Sequence, residues 1–136
     1  MPRIAPGVIP IKSQNPYETI RVIASPDSSV EMNDIVVPAG YTGDVLIVER
    51  ADAKRHEHAN TVLFIAMNDA VPGRALWVQP WRVSTKVPTN DAPVHTPVYL
   101  GEKGKFVLQI PSNGTMWYKR RVGTVIDKDV IHFHLG

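Results

Sequence analysis

Histidine is the residue type with the most chemistry on offer here, and four of the five histidines come as two His-x-His pairs, His56-Glu57-His58 and His132-Phe133-His134. On a strand, residues two apart share a face, so each pair would present two imidazoles together. Two such pairs could close a tetrahedral zinc site. In the second pair the histidines alternate with Ile131, Phe133 and Leu135, so His132 and His134 fall on the face opposite that apolar set, where solvent-facing polar residues belong. The first pair lies in a highly charged stretch that reads as loop. Neither a metal nor any other cofactor is therefore expected. Hydrolytic motifs are missing: neither G-x-S-x-G nor H-E-x-x-H occurs. Gly101-Glu102-Lys103-Gly104-Lys105 lacks the spacing and the Ser/Thr of a phosphate loop and reads as a hairpin turn between two strands. The carboxylates are scattered singly or sit in loops, so no pair stands out for acid–base work. The expectation is a protein without enzymatic activity or a small-molecule substrate.

Residues 117–121 (WYKRR) are the most pronounced binding feature. Aromatic rings beside a basic triplet can stack on and neutralise single-stranded nucleic acid on a small β-barrel. The chain as a whole, however, carries 15 Lys+Arg against 13 Asp+Glu, a net +2, which is a weak electrostatic footprint for that partner. Trp, Tyr and Arg are also what protein interfaces enrich. Trp117, Tyr118, Arg120 and Arg121 are accordingly read as an interface, and nucleic acid is not the expected partner.

The elements that must position these residues are strands. The chain has 18 Val and 11 Ile against 6 Leu, and its 12 prolines interrupt any long helix. Residues 18–24 carry Ile20, Val22 and Ala24 on one face. Residues 44–50 and 61–67 are nearly continuous apolar runs, as in strands buried on both faces. In 81–87 the set Trp81, Val83, Thr85, Val87 alternates with Arg82, Ser84, Lys86, and the larger apolar set is expected to face the core. Phe106, Leu108 and Ile110 repeat the pattern, as do Ile131, Phe133 and Leu135. Turn signals fall at 37–40, 69–73, 88–93, 101–104 and 112–114. One short helix, or equally a polar loop, is expected within 49–59 (ERADAKRHEHA), which lacks an apolar stripe. The fold class is mainly β: a small β-sandwich or β-barrel domain over 17–136, preceded by an extended N-terminal arm at 1–16. In the arm, Pro2, Pro6, Pro10 and Pro16 punctuate Ile4, Val8, Ile9 and Ile11 without a period that could pack on the chain's own core. The chain contains no cysteine and no apolar run near the ~20 residues a bilayer requires, and 1–10 does not read as a signal peptide. A soluble protein with no membrane partner is expected.

The order of text from Thr61 onward resembles the small capsid decoration, or cement, proteins of tailed bacteriophages. The resemblance runs through TVLFIAMNDA at 61–70, Pro72-Gly73, the strand at 81–87 and His95-Thr96-Pro97-Val98-Tyr99-Leu100. It continues in Arg121-Val122-Gly123-Thr124-Val125-Ile126 and in the closing alternation of 130–135 with Gly136. The family's usual Gly-Asp before Pro-Val-Tyr-Leu is His95-Thr96 here, and the N-terminal half, including 50–58, has no counterpart in that pattern. The resemblance implies a non-enzymatic virion protein, made in the host cytoplasm and bound to the exterior of the expanded capsid. There it would hold capsomers together as a homotrimer, with the major capsid protein as partner. The arm, through Ile4, Val8, Ile9 and Ile11, is then expected to bind the capsid, and Trp117, Tyr118, Arg120 and Arg121 to meet a subunit or the capsid. The alternatives are a single-stranded nucleic-acid-binding barrel, a phage tail or baseplate component, and a histidine-metal β-barrel enzyme.

Overall fold

The computed structural model describes residues 18–111 and 116–135. The valine- and isoleucine-rich runs form strands β1 (Ile20–Ala24), β2 (Ile35–Thr42), β3 (Val45–Arg50), β4 (Phe64–Ala66) and β5 (Ala75–Gln79). These are followed by β6 (Trp81–Thr85), β7 (Pro97–Leu100), β8 (Phe106–Val107), β9 (Arg121–Asp127) and β10 (Val130–His134), and a helical turn α1 (His56–Ala59) lies between β3 and β4. The first five strands close into a barrel in the order β1-β3-β2-β4-β5, and the last five form a sheet in the order β6-β10-β9-β7-β8. In the barrel β1 runs parallel to β3, and β5 closes on β1 antiparallel with Val22 opposite Leu76. The protein is mainly β, and its first half is a closed five-stranded barrel. The arm at 1–16 lies outside the described residues. Among the described residues no helix is long and apolar enough to cross a membrane.

Two hydrophobic cores follow from the alternation of the central strands. Val22, Val36, Val48, Phe64, Ala66, Leu76 and Val78 fill the barrel. Ile35, Val37, Leu63 and Ile65 point the other way and pack with Val98, Leu100, Val125, Ile131, Phe133 and Leu135 of the second sheet. β2 and β4 are thus one wall with apolar side chains on both faces, which is why 61–67 reads as a continuous apolar run. β3 meets that expectation in part, since only Val48 of its residues is fully buried.

The β7–β8 hairpin fastens the sheet to the barrel. Ile35 N–H donates to the Gly104 carbonyl at 2.7 Å, Gly104 N–H to Ala51 O at 2.7 Å and Ala53 N–H to Gly101 O at 2.9 Å. Gly104 has φ +81, and a Cβ there would lie 3.2 Å from Asp34 Cβ and as close to Arg50, so this tip needs glycine. Beside it Lys105 Nζ reaches the buried Asp34 carboxylate at 2.7 Å.

Three expectations are corrected. In β6 the inward residue is Ser84, 2% exposed, whereas Val83 is 46% exposed. The face is decided by β10: Ser84 and Arg82 stand opposite Ile131 and Phe133, while Val83 and Trp81 stand opposite His132 and His134. Trp81 is therefore a half-buried residue of the outer face. Second, 37–40 is no break: β2 runs through it and absorbs Pro38 and Gly40 in a bulge against β3. Third, the alternation from Phe106 ends as a strand after Val107, and Phe106 is half-buried, edge-on to Phe133 at 5.8 Å.

Candidate functional site

Segment 116–120 leads into β9 and is held on two sides: Tyr118 N–H donates to Ala53 O, and Leu100 N–H donates to Arg120 O, each at 2.8 Å. These bonds turn the aromatic and basic residues to different surroundings. Trp117 packs against the core between barrel and sheet, with its indole nitrogen out of solvent and without a hydrogen-bond partner among the described residues. Tyr118 is half-buried, its ring edge-on to His56 at 5.1 Å and its hydroxyl against Met116 Sδ at 3.1 Å. Lys119 is exposed, its ammonium 5.2 Å over the Tyr99 ring. Arg120 turns inward and donates to the carbonyls of Ala59 at 3.1 Å, Thr61 at 2.7 Å and Leu135 at 3.0 Å. Arg121 is exposed and lies along β9, bonded to Gly123 O and Thr124 Oγ1.

The residues expected at one interface therefore divide. Arg121 and part of Tyr118 remain accessible, whereas the Arg120 guanidinium is satisfied by main-chain carbonyls and Trp117 leans on the core. Lys119 lies over the Tyr99 ring and Arg121 is the cross-strand partner of Tyr99, so these two cations stay exposed beside one aromatic ring while Arg120 turns inward, and the triplet offers two accessible cations.

The histidine pairs also separate. On the helical turn α1, positions two apart diverge: His58 is buried and His56 exposed. Asp52 N–H donates to His58 Nδ1 at 3.0 Å, which leaves Nε2 to carry the proton, 3.4 Å from Glu49 Oε1. Burial, foremost, and the nearby Arg55 hold the His58 pKa below the usual histidine value. His132 and His134 share the outer face of β10, with ring centroids 5.7 Å apart and the Trp81 ring 5.3 and 6.4 Å away. Burial, then His132 and Arg121, lower the His134 pKa. Among the described residues no group of three or more His, Asp or Glu is placed to hold a metal ion.

What the sequence reading missed is a groove. An open cleft of about 710 Å³ runs between the loop after β6, through Pro88, Ala92 and Pro93, and the segment 105–109 that contains β8. The text KFVLQI announces a strand, yet nothing in it says that this strand ends its sheet, because strand order is tertiary information. No protein-family model matches the chain, and no curated protein does.

Proposed function

We propose that the chain is a structural protein of a tailed-bacteriophage virion. It binds the outer surface of the expanded capsid, stabilises contacts between capsomers, and assembles with copies of itself as a homotrimer on the major capsid protein. The observation that carries this reading is the ordered resemblance of residues 61–136. Its segments coincide, in chain order, with β4, β6, β7, β9 and β10, four of which belong to one sheet. The inward turn of Arg120 leaves two accessible cations at this segment, a short footprint for single-stranded nucleic acid, whose binding grooves track several phosphates, and this favours the capsid reading. Binding of many copies around one shell turns a modest contact into a stable coat by multivalency.

The test is co-sedimentation of the purified protein with expanded capsids and with unexpanded shells. Binding to the expanded form alone is expected. Binding to neither, or tight salt-dependent binding to single-stranded DNA in its place, would overturn the proposal.

A further inference from the structure

We propose that the groove beside β8 receives the N-terminal arm of a second copy of this chain, added as a strand to the edge of β8. The barrel is closed and offers no edge, so strand addition must occur at β6 or β8, the two ends of the second sheet. β8 pairs with β7 alone among the described residues, and its free side forms a wall of the groove. Phe106, Val107 and Leu108 run uncharged along that side, facing Pro88, Ala92 and Pro93. Lys105 also lines the groove but sends its ammonium to Asp34 at 2.7 Å, and an edge whose own residues are uncharged is a template for another strand, where main-chain bonds supply affinity and the cleft accepts alternate side chains.

The arm has the backbone such a partner needs. Pro2, Pro6, Pro10 and Pro16 all stand at even positions. In an extended strand the N–H and C=O groups of odd and even residues point to opposite sides. Docked in this way, Arg3, Ala5, Gly7, Ile9 and Ile11 would offer a side free of proline, while the prolines block the other side. The sheet would gain one strand and stop there. The side chains of Ile4, Pro6, Val8 and Pro10 would form one uncharged face, suited to the apolar cleft.

The self-association in the proposed function assigns the arm to a neighbouring copy, since an extended arm reaches roughly 50 Å and distance alone would also allow its own groove. Thr19 Oγ1 accepts from Gln79 Nε2 at 3.2 Å, so the arm departs beside the start of β6. β6 and β8 are opposite edges of the sheet, four strand spacings or roughly 19 Å apart. Each copy thus offers an arm at one edge and a groove at the other, the head-to-tail arrangement that closes into a ring. The inference rests on the self-association included in the proposed function.

The chain has no cysteine, so introduced pairs report cleanly. Val8→Cys with Gln109→Cys in the full chain, under mild oxidation and without capsids, should give reducible covalent dimers and trimers. Gly7→Cys and Ile9→Cys with Gln109→Cys cover the neighbouring registers. Val8→Cys with Val71→Cys, at a 61% exposed barrel position, should stay monomeric. A disulfide within one chain would overturn exchange between copies, and no disulfide in any register would overturn arm docking. Position parity is the second readout, made on the Val8→Cys/Gln109→Cys chain. Ala5→Pro removes a donor from the pairing side and should cut the cross-linked yield about fivefold or more, whereas Ile4→Pro should match Ile4→Ala to within about twofold, because on that side the lost side chain matters and the backbone change does not. Equal effects of the two prolines, each measured against alanine at its own position, would overturn the strand geometry. Because capsids are absent throughout, failure here is separable from failure of the capsid proposal.

Discussion

Three carbonyl oxygens, those of Ala59, Thr61 and Leu135, converge on the Arg120 guanidinium and join the α1–β4 link to the end of β10. Arg120→Ala would take this donor from the Ala59 and Thr61 carbonyls and leave Leu135 O with the 3.4 Å bond from Leu63 N–H, so a loss of about 2–4 kcal/mol in denaturant unfolding is expected. Lysine, a point charge in place of a planar fork, should recover only part of that. His58 gives a pH dependence with a definite sign. Burial holds its folded pKa below the ordinary histidine value, so as pH falls past about 6.5 the unfolded chain takes up the proton first. The stabilisation is complete above that value and is lost as pH descends to the folded pKa. His134, also lowered, adds in the same direction. The melting temperature should therefore drop on acidification, and His58→Asn, whose side-chain oxygen can accept from Asp52 N–H, should flatten the curve. A slope unchanged in that variant would assign the effect elsewhere. Sequence alone treats Lys119, Arg120 and Arg121 as one basic triplet. Only the main-chain route through Ala53 and Leu100 separates the inward arginine from the outward one.

Alternation tells which residues of a strand share a face but not which face is inside, and β6 and β10 illustrate the difference. Along β10 and the residue after it, Ile131, Phe133 and Leu135 alternate with His132 and His134, so the burial of the apolar set is legible from text. In β6 both sets are mixed, and pairing with β10 turns Ser84 inward, where its hydroxyl bonds Asn33 Oδ1 at 2.9 Å. Likewise the Pro38–Gly40 turn signal describes a real irregularity, but β3 pairs on both sides of it and keeps the strand whole. Removal of the fully buried Phe133 ring, Phe133→Ala, should cost about 3–5 kcal/mol. Trp81→Ala, on the half-buried outer face, should cost about 1–2 kcal/mol by the area it covers. Reversed magnitudes would place the core on the other face of this sheet. Close approach at Gly123 makes a sharper test of the β9–β10 pairing: an added Cβ would meet His132 O at 2.8 Å and Ile131 Cγ2 at 3.2 Å. Gly123→Ala must push the two strands apart and should destabilise by about 1–3 kcal/mol.

For the whole molecule, the arm and the domain divide affinity from stability. The described domain closes its barrel and fills both cores with residues from 20 onward, so deletion of residues 2–16 should leave the melting temperature within a few degrees. Ile4, Val8, Ile9 and Ile11 could each gain about 1.5–3 kcal/mol gross on burial against a partner. Ordering the arm costs about 1–2 kcal/mol per residue of backbone, reduced at its prolines because their φ is already restricted. The net gain per copy is therefore modest and depends on main-chain pairing and on the number of copies linked. We expect the truncated protein to bind expanded capsids at least tenfold more weakly, about 1.4 kcal/mol per copy. If the arm acts by joining neighbouring copies through β8, Ala5→Pro should reproduce most of that loss, and Ile4→Pro should lose no more than Ile4→Ala does. Full capsid binding by the truncated chain would remove the arm from the account, and collapse of the fold on truncation would make it a strand of the domain. If truncation weakens binding while both proline variants bind as the wild type does, the arm touches the capsid directly, and the β8 groove has another occupant.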